Sequence, residues 1–140
     1  MSAASDNTRI LRDAFARTAA GEGRAFVDIL AEDAVWITLG STAWSKRFED
    51  KAAILRDLLG PLRAQFSQPN HVRAERFIAE GDMVAVEAQG DAVTRDGRPY
   101  RNRYCLICRL RDGLIVELTE YADTALIDRV LGPPVPAVKA

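Results

Sequence analysis

The chain has 140 residues, 48% of them hydrophobic, and its 19 Lys and Arg against 20 Asp and Glu give a formal net charge of -1. This length fits one domain, and the basic residues are too scattered to predict nucleic-acid binding. No segment has the apolar length of a membrane span, and residues 1–9 lack the apolar stretch of a signal peptide. We therefore expect a soluble cytoplasmic protein with one domain at residues 1–132 and a Pro-rich tail at residues 133–140.

Two helices are predicted at the start of the chain. Asp6 or Asn7 can cap the first, in which apolar residues recur every three or four positions until Gly21. The second is short, at residues 24–31, and a β-rich run at residues 35–39 follows it.

A third helix is predicted over residues 49–66, because Leu and Phe recur there at three- and four-residue steps. The pair Gly60-Pro61 lies inside this segment and should bend or interrupt the helix, since proline has no N–H to donate. A last, short helix is predicted over residues 124–131.

Four strands are predicted between Val72 and Asp123. Three turn signals divide this stretch, namely Gly81-Asp82, Asp96-Gly97 and Asp112-Gly113. Strands joined by such short turns form an antiparallel meander, and the helices must then cover one face of a curved sheet. The sequence therefore predicts an α+β domain.

Both cysteines lie in one predicted strand, with the C-x-x-C spacing that is typical of metal and redox sites. Residues three apart in a strand point to opposite faces, so Cys105 and Cys108 cannot share a metal or a disulfide without a bulge. We interpret them as two small apolar strand residues and expect no metal site.

Strand alternation predicts which side chains face the helices. In one strand the inward set is Val84, Val86, Ala88, Gly90 and Ala92, and in the next it is Asn102, Tyr104, Leu106, Cys108 and Leu110. In the last strand Leu114, Val116 and Leu118 share a face with Glu120.

The turn before the last strand decides whether Glu120 faces inward. A three-residue, bulged connection at residues 111–113 would align it with the inner face and place it opposite Tyr104. A two-residue type I′ turn would instead bring Glu117, Thr119 and Tyr121 inward. We adopt the bulged register because it gives the drier inner face.

An inward Glu120 has two interpretations. It is either a rim residue, solvated or paired with an Arg, or a pocket acid or base whose pKa is raised by desolvation. Ala88 and Gly90 on a neighbouring strand favour the pocket, because they leave space where a packed core would place Val or Leu.

Three segments together carry a family resemblance: LAEDAVWITLG at residues 30–40, EGDMVAVEAQG at residues 80–90 and YRNRYCLICRLRDGLIVELTEYADT at residues 100–124. They are similar to SnoaL-like members of the nuclear transport factor 2 superfamily. The resemblance implies a cone-shaped antiparallel sheet wrapped around three N-terminal helices, with a short C-terminal helix. It further implies a pocket at the open end and a homodimer packed sheet to sheet.

The resemblance does not imply one reaction. The positions that match the catalytic residues of ketosteroid isomerases hold Thr38, Ala14 and Leu106, which cannot take a carbon-bound proton in that manner. The positions that match the water-activating Asp-Arg-Asp set of limonene epoxide hydrolases hold Gly90, Ala88 and Glu120, and those that match its two assisting residues hold Trp36 and Thr38. Of that set, only one carboxylate is present here. The resemblance to polyketide cyclases implies that an acid on the barrel wall, here Glu120, transfers a proton.

Other polar and aromatic residues receive structural interpretations. His71 is the only histidine and is expected at a loop or strand start rather than in a metal site, although it could reach the pocket rim. Of Trp36 and Trp44, one should pack in the core and the other could lie over the pocket mouth. Four Arg on the outer sheet face are expected to pair with Glu87 and Glu117, namely Arg101, Arg103, Arg109 and Arg111.

Two functions from different classes follow. One is a cofactor-independent enzyme of isomerase, hydrolase, dehydratase or cyclase type, with Glu120 as acid or base and Tyr104 as its partner. The other is a non-catalytic domain that binds an apolar ligand or dimerises. In both, a small apolar molecule would be the partner, and the predicted ligand contacts are Trp36, Thr38, Trp44, Ala88, Gly90, Asn102, Leu106 and Leu118.

Overall fold

Helix α1 (Ala3–Ala19) begins one turn earlier than the sequence predicts. In the computed structural model, which describes residues 2–135, the Ser2 hydroxyl caps the helix by accepting a hydrogen bond from the Ser5 N–H at 3.1 Å. Asp6, predicted as a cap, lies in the first turn and pairs with Arg9. The helix buries Leu11, Ala14 and Phe15.

The second helix is shorter than predicted and the first strand is longer. Helix α2 covers Ala25–Asp28, and strand β1 covers Leu30–Thr38. Leu30 lies beside Ile115, whose N–H donates to the Ile29 carbonyl at 2.7 Å. This pairing with a distant part of the chain outweighs the local helical pattern of residues 24–31.

The third helical region runs without a break through Gly60-Pro61. It consists of α3 (Lys51–Ala53), a π-helical segment (Ile54–Leu59) and α4 (Gly60–Ala64). The Gly60 N–H donates to the Leu55 carbonyl, a five-residue step that widens the helix just before the proline. The helical path is thus not broken at this pair, and the irregularity takes the form of a widened turn that accommodates Pro61.

The predicted meander of four long strands is confirmed, and two short strands complete the sheet. The strands after β1 are β2 (Arg47–Glu49), β3 (His71–Glu80), β4 (Met83–Val93), β5 (Pro99–Tyr100), β6 (Arg103–Arg111) and β7 (Leu114–Ala122). Their order across the sheet is β2-β1-β7-β6-β4-β3, with β5 paired to β4. All neighbours are antiparallel except β1 and β7, which run parallel, a pairing that the turn signals did not predict.

The curved sheet packs its inner face against the helices, as the α+β prediction requires, and helix α5 (Thr124–Val130) follows the last strand. Alternation in β4 and β6 is confirmed, since Val84, Val86 and Cys108 are fully buried. Cys105 lies on the opposite face and both thiols are free. Of the predicted tail, residues 136–140 lie outside the described range, and no helix within residues 2–135 is long and apolar enough to span a membrane.

The three-residue connection predicted between β6 and β7 is wrong, because the turn is the two-residue type. Asp112 and Gly113 have positive φ angles of 53° and 79°, as a two-residue type I′ turn requires. The register then shifts within β7, where Arg109 faces Glu117 and Leu110 faces Ile115, so that Val116 forms a bulge. The bulge returns Leu118 to the inner face, but Ile115 is buried there in place of the predicted Leu114.

The arginines of the outer face find partners other than those predicted. Glu87 pairs with Arg76, and Arg109 pairs with Asp82 at 3.0 Å. The remaining pairs are Arg101–Asp91, Arg103–Glu75 and Arg111–Asp33. The acids of turns and neighbouring strands are within reach of these long side chains, so direct cross-strand register does not decide the pairing.

Candidate functional site

A cavity of about 320 Å³ lies between the helices and the inner face of the sheet. Its size falls in the range of small-molecule sites. Most of the wall is apolar and comes from the helices and the C-terminal segment, through Phe15, Phe26, Leu58, Leu59, Leu62, Phe66, Ile127 and Leu131. The sheet contributes fewer residues, and among them are the polar groups.

Glu120 is the one acidic residue of the cavity wall among residues 2–135. Its backbone lies in the middle of the sheet, opposite Leu106 on β6 and beside Thr38 on β1, rather than opposite Tyr104 as predicted. The two-residue turn and the bulge at Val116 each shift the register by one residue relative to the predicted three-residue connection, and together they account for this difference. The side chain faces inward as predicted, but for another reason: the strand bulge at Val116 reverses the alternation that the two-residue turn would have set.

Burial raises the pKa of the Glu120 carboxyl to about 7, because the charged form loses its hydration in the apolar cavity. The Trp36 side chain acts in the opposite direction, since an indole N–H favours the ionised carboxylate. Desolvation is the larger effect. A carboxyl with this pKa has both protonation states populated near neutral pH, as an acid–base group needs.

Trp36 places a hydrogen-bond donor beside Glu120. The residue is 6% exposed, and its ring packs against Phe26 at 6.1 Å between centroids. Within residues 2–135 the indole Nε1 is buried and has no hydrogen-bond partner. The indole N–H lowers the pKa of the Glu120 carboxyl, although the two groups do not form a hydrogen bond of normal geometry.

Tyr104 brings a hydroxyl to the same cavity, as predicted. Its oxygen accepts a hydrogen bond from the Asn70 side-chain amide at 3.4 Å. Desolvation raises the pKa of Tyr104 well above its usual value, with smaller contributions from Tyr100 and Glu120. The phenol therefore stays neutral, so it retains a proton to donate.

Thr38 and Trp44 line the cavity as predicted, but their polar groups are committed to the loop between β1 and β2. The Thr38 hydroxyl accepts from the Lys46 N–H at 2.8 Å and donates to the Trp44 carbonyl. The Trp44 indole N–H donates to the Gly132 carbonyl at 2.8 Å. Thr38 thus holds the loop and does not hydrogen-bond Glu120, whereas Trp44 ties the C-terminal segment to the cavity.

Leu106 also lies on the wall, whereas the other four predicted contacts do not. Gly90 and Ala88 were expected to leave room for a ligand, but Tyr104 takes that room. A Cβ on Gly90 would come within 2.9 Å of the Tyr104 ring. Ala88 lies directly opposite Tyr104 on the neighbouring strand. Leu118 is fully buried in the core between Trp36 and Cys108.

Asn102 joins strand ends and does not line the cavity. Its amide donates to the Tyr100 hydroxyl at 2.8 Å and to the Asp123 carbonyl at 3.2 Å, and its oxygen accepts from the Asp123 N–H at 3.0 Å. The amide group thus donates two hydrogen bonds and its oxygen accepts one, and the residue is 0% exposed. The inward position is as predicted, and the side chain is not part of the cavity wall.

Sequence reasoning missed the helical part of the wall and one more tyrosine. Tyr100 lines the cavity and stacks on Phe66 at 5.6 Å between centroids. The alternation that marked Asn102 and Tyr104 would have included Tyr100 if it had been extended by one step. His71 begins β3 as an exposed residue opposite Asp91, as the strand-start interpretation expects.

The sequence matches the model of a known protein family. The model of the SnoaL-like domain matches residues 11–118. No curated protein matches the sequence.

Solved structures give the same picture. Bal32a, from a soil-derived mobile gene cassette, superposes with a TM-score of 0.80 at 17% identity, covering 94% of this chain and all 100% of that protein. A Bacillus subtilis protein described as a "Putative Isomerase" gives 0.75 at 24% identity, with 95% and 97% coverage. A Jannaschia sp. CCS1 protein described as a "Putative SnoaL-like polyketide cyclase" gives 0.72 at 16% identity, with 95% and 97% coverage. At these identities the likeness concerns the fold.

Proposed function

The chain belongs to the SnoaL-like family, and on this premise we propose that it is an acid–base enzyme for a small, largely apolar substrate. The reaction is an isomerisation, hydration, dehydration or cyclisation, and needs no cofactor. Glu120 is the acid or base and Tyr104 is its hydrogen-bonding partner. Solved relatives of this fold include proteins described as an isomerase and a polyketide cyclase, each with the qualifier "Putative".

One observation carries the proposal: a single carboxyl, with a pKa raised to about 7, borders an apolar cavity. Near neutral pH such a group can take a proton from a substrate or a water molecule and return it within the same turnover. A well-placed acid or base of this kind contributes roughly a hundredfold or more to a rate. The neutral Tyr104 hydroxyl can donate to an oxygen on which negative charge develops.

The test uses two model substrates that need an acid or base in different ways. Exchange of the α-hydrogens of 2-tetralone in D2O, followed by NMR, reports proton transfer at carbon. Opening of styrene oxide to its diol reports activation of water. The protein should accelerate at least one reaction, and Glu120→Gln should abolish that acceleration while the variant still folds and still binds unreacted 2-tetralone.

Leu39→Ala provides a matched control at the cavity wall, because it changes an exposed apolar residue next to the β1 end and removes no polar group. It should retain the reaction that Glu120→Gln loses. An equal loss in both variants would contradict the role of Glu120.

A binding function without chemistry is the second candidate. It is favoured because Glu120 has no second acid or base beside it on the described wall, where the other charged residue, Arg63, donates to the Phe66 carbonyl. In that case both model substrates would bind and neither would react.

Self-association through the outer face of the sheet is a further part of the proposal. A row of side chains crosses five strands of this face in register, in the order Ile78, Ala85, Ile107, Thr119 and Ile37. Ile78 is 63% exposed. An apolar row between ion pairs suits a two-fold interface in which the same patch occurs on both copies.

A further inference from the structure

We propose that the cavity binds an apolar amine, whose protonated nitrogen pairs with the Glu120 carboxylate among aromatic side chains. This inference rests on the proposed function, because it names the chemical class of ligand for the same pocket. The ligand is an organic ammonium ion, with one basic nitrogen on an otherwise apolar body, rather than a hydrocarbon or an organic acid.

The Glu120 carboxyl is open to the cavity. The side chain points inward and lines the cavity, and the residue keeps accessible surface, which therefore lies inside the cavity. Among residues 2–135, Trp36 is the one hydrogen-bonding neighbour that affects this carboxyl, and no bond of normal geometry joins the two groups. The carboxylate oxygens can thus accept from a ligand.

The charge of the described wall is complementary to a cation. Besides Glu120, its one charged residue is Arg63, which is exposed and donates to the Phe66 carbonyl at 3.1 Å. An organic anion would be repelled by Glu120 and would lose its hydration without gaining a counter-ion. An ammonium ion gains one, and this attraction offsets the hydration that it loses.

Aromatic side chains supply a second attraction for a cation. The chain has 5 Phe, 3 Tyr and 2 Trp. Seven of these ten side chains line the cavity, namely Phe15, Phe26, Trp36, Trp44, Phe66, Tyr100 and Tyr104. The face of an aromatic ring attracts an ammonium group that lies within about 6 Å of its centre, and aromatic pockets bind organic ammonium ions in this way. A carboxylate and aromatic rings on one wall therefore favour an amine over a neutral molecule of the same shape.

Binding of the amine should change the protonation state of Glu120. Its pKa of about 7 keeps most of the carboxyl neutral at pH 6, whereas an aliphatic amine is protonated there. The amine keeps its proton, the carboxyl releases one to the solvent, and an ion pair without net charge remains in the cavity. Desolvation raises the pKa of both tyrosines of the wall, Tyr100 and Tyr104, and Arg63 stays charged, so Glu120 is the group on the described wall that releases the proton.

The size of the cavity sets the choice of probes. A dry cavity of roughly 150 Å³ accepts benzene, so about 320 Å³ accommodates a bicyclic aromatic molecule. A matched pair of probes is 2-naphthylmethylamine and 2-naphthylmethanol. They have the same arrangement of non-hydrogen atoms and can both donate a hydrogen bond, but only the amine carries a charge.

Calorimetric titration at pH 7 compares the two probes. The amine should bind roughly tenfold or more tightly than the alcohol, as a buried, hydrogen-bonded charge pair predicts. Glu120→Gln should remove this preference and retain binding of the alcohol. Glu117→Gln is the matched control, because it takes the same charge from β7 at a residue that faces Arg109 and does not line the cavity, and it should retain the preference.

A second measurement follows the proton in the unmodified protein. At pH 6, titrations in two buffers of different ionisation enthalpy should show the release of roughly one proton per bound amine. The alcohol should release none. This measurement keeps the inference open to contradiction even if Glu120→Gln folds poorly.

The outcomes separate this inference from the proposed function. If amine and alcohol bind equally well and no proton is released, the ammonium site is overturned, and the pocket and its acid–base role stand. A preference for the amine that persists in Glu120→Gln overturns the pairing with Glu120. If neither probe binds and 2-tetralone does not bind either, the pocket function is overturned and the ammonium site with it. Selective binding of the amine, with proton release, by a protein that catalyses neither model reaction supports the ammonium site and removes only the enzyme proposal.

Discussion

Trp36 and Glu120 lie on parallel neighbouring strands, two residues apart in register, and face the same cavity. This relationship brings an unpartnered donor and a desolvated carboxyl together on one wall of an otherwise apolar space. The indole N–H favours the ionised form of the Glu120 carboxyl, whereas the apolar surroundings favour its neutral form.

Glu120 should make the protein less stable as the pH rises from about 4.5 to about 7. Its pKa is about 7 in the folded chain and 4.5 for an ordinary Glu, so between these values the folded state holds one more proton than the unfolded state. The free energy of unfolding therefore falls across this window, by roughly 2–3 kcal/mol, and this group changes it no further above the window. Urea unfolding at a series of pH values measures the fall. Glu120→Gln removes this contribution, so parallel pH profiles for the two proteins would contradict the prediction.

Trp36→Phe should raise the pKa of Glu120 above its value in the unmodified protein. The substitution removes a donor that favours the carboxylate and keeps an aromatic ring in the cavity wall. NMR titration of ¹³C-labelled Glu side chains measures the change. In the unmodified protein the Trp36 indole signal should follow the same titration midpoint, and the Trp44 signal should not, because its N–H is bonded to Gly132. An unchanged Glu120 midpoint would show that the indole does not reach the carboxyl.

Gly90→Ala should lower stability by roughly 1–3 kcal/mol, the cost of overpacking a filled site. The added Cβ would come within 2.9 Å of the Tyr104 ring and 3.3 Å of the Asn102 carbonyl. The Tyr104 ring, which lines the cavity, must then move, so the affinity for 2-tetralone should change as well. Urea unfolding and calorimetric titration measure the two effects. Gly23→Ala is the control, because nothing lies within 4 Å of its added Cβ, and its stability should stay within about 0.5 kcal/mol.

Ile107→Lys should convert a dimer into a monomer. Ile107 stands in the middle of the apolar row on the outer face, between Ala85 and Thr119, where two copies would bring like charges together. Sedimentation at micromolar concentration measures the assembly state. Leu114→Lys, an exposed apolar residue at the β6–β7 turn outside this row, should leave the dimer intact. A monomer for the unmodified protein would remove the interface proposal.

Local pattern in the sequence determined the elements whose faces are set by alternation or by helical spacing. The inner sets of β4 and β6, the opposite faces of Cys105 and Cys108, and the three hairpins of the meander follow from the period of two and from Gly-containing turns. The inward direction of Glu120 was predicted from the dryness of the inner face and not from alternation alone, because the bulge at Val116 interrupts the alternation of β7. These features depend on residues close together in the chain, which a sequence displays directly.

Only the tertiary structure decided the features that depend on contacts between distant segments. The parallel pairing of β1 with β7 sets both the early start of β1 and the position of Trp36 beside Glu120. The two-residue turn and the bulge at Val116 each shift the register by one residue, and together they place Glu120 opposite Leu106 rather than Tyr104. Gly90 looked like space for a ligand until the Tyr104 ring was seen to fill it. In each case the deciding quantity is the packing of a side chain from elsewhere in the chain, and no local periodicity records it.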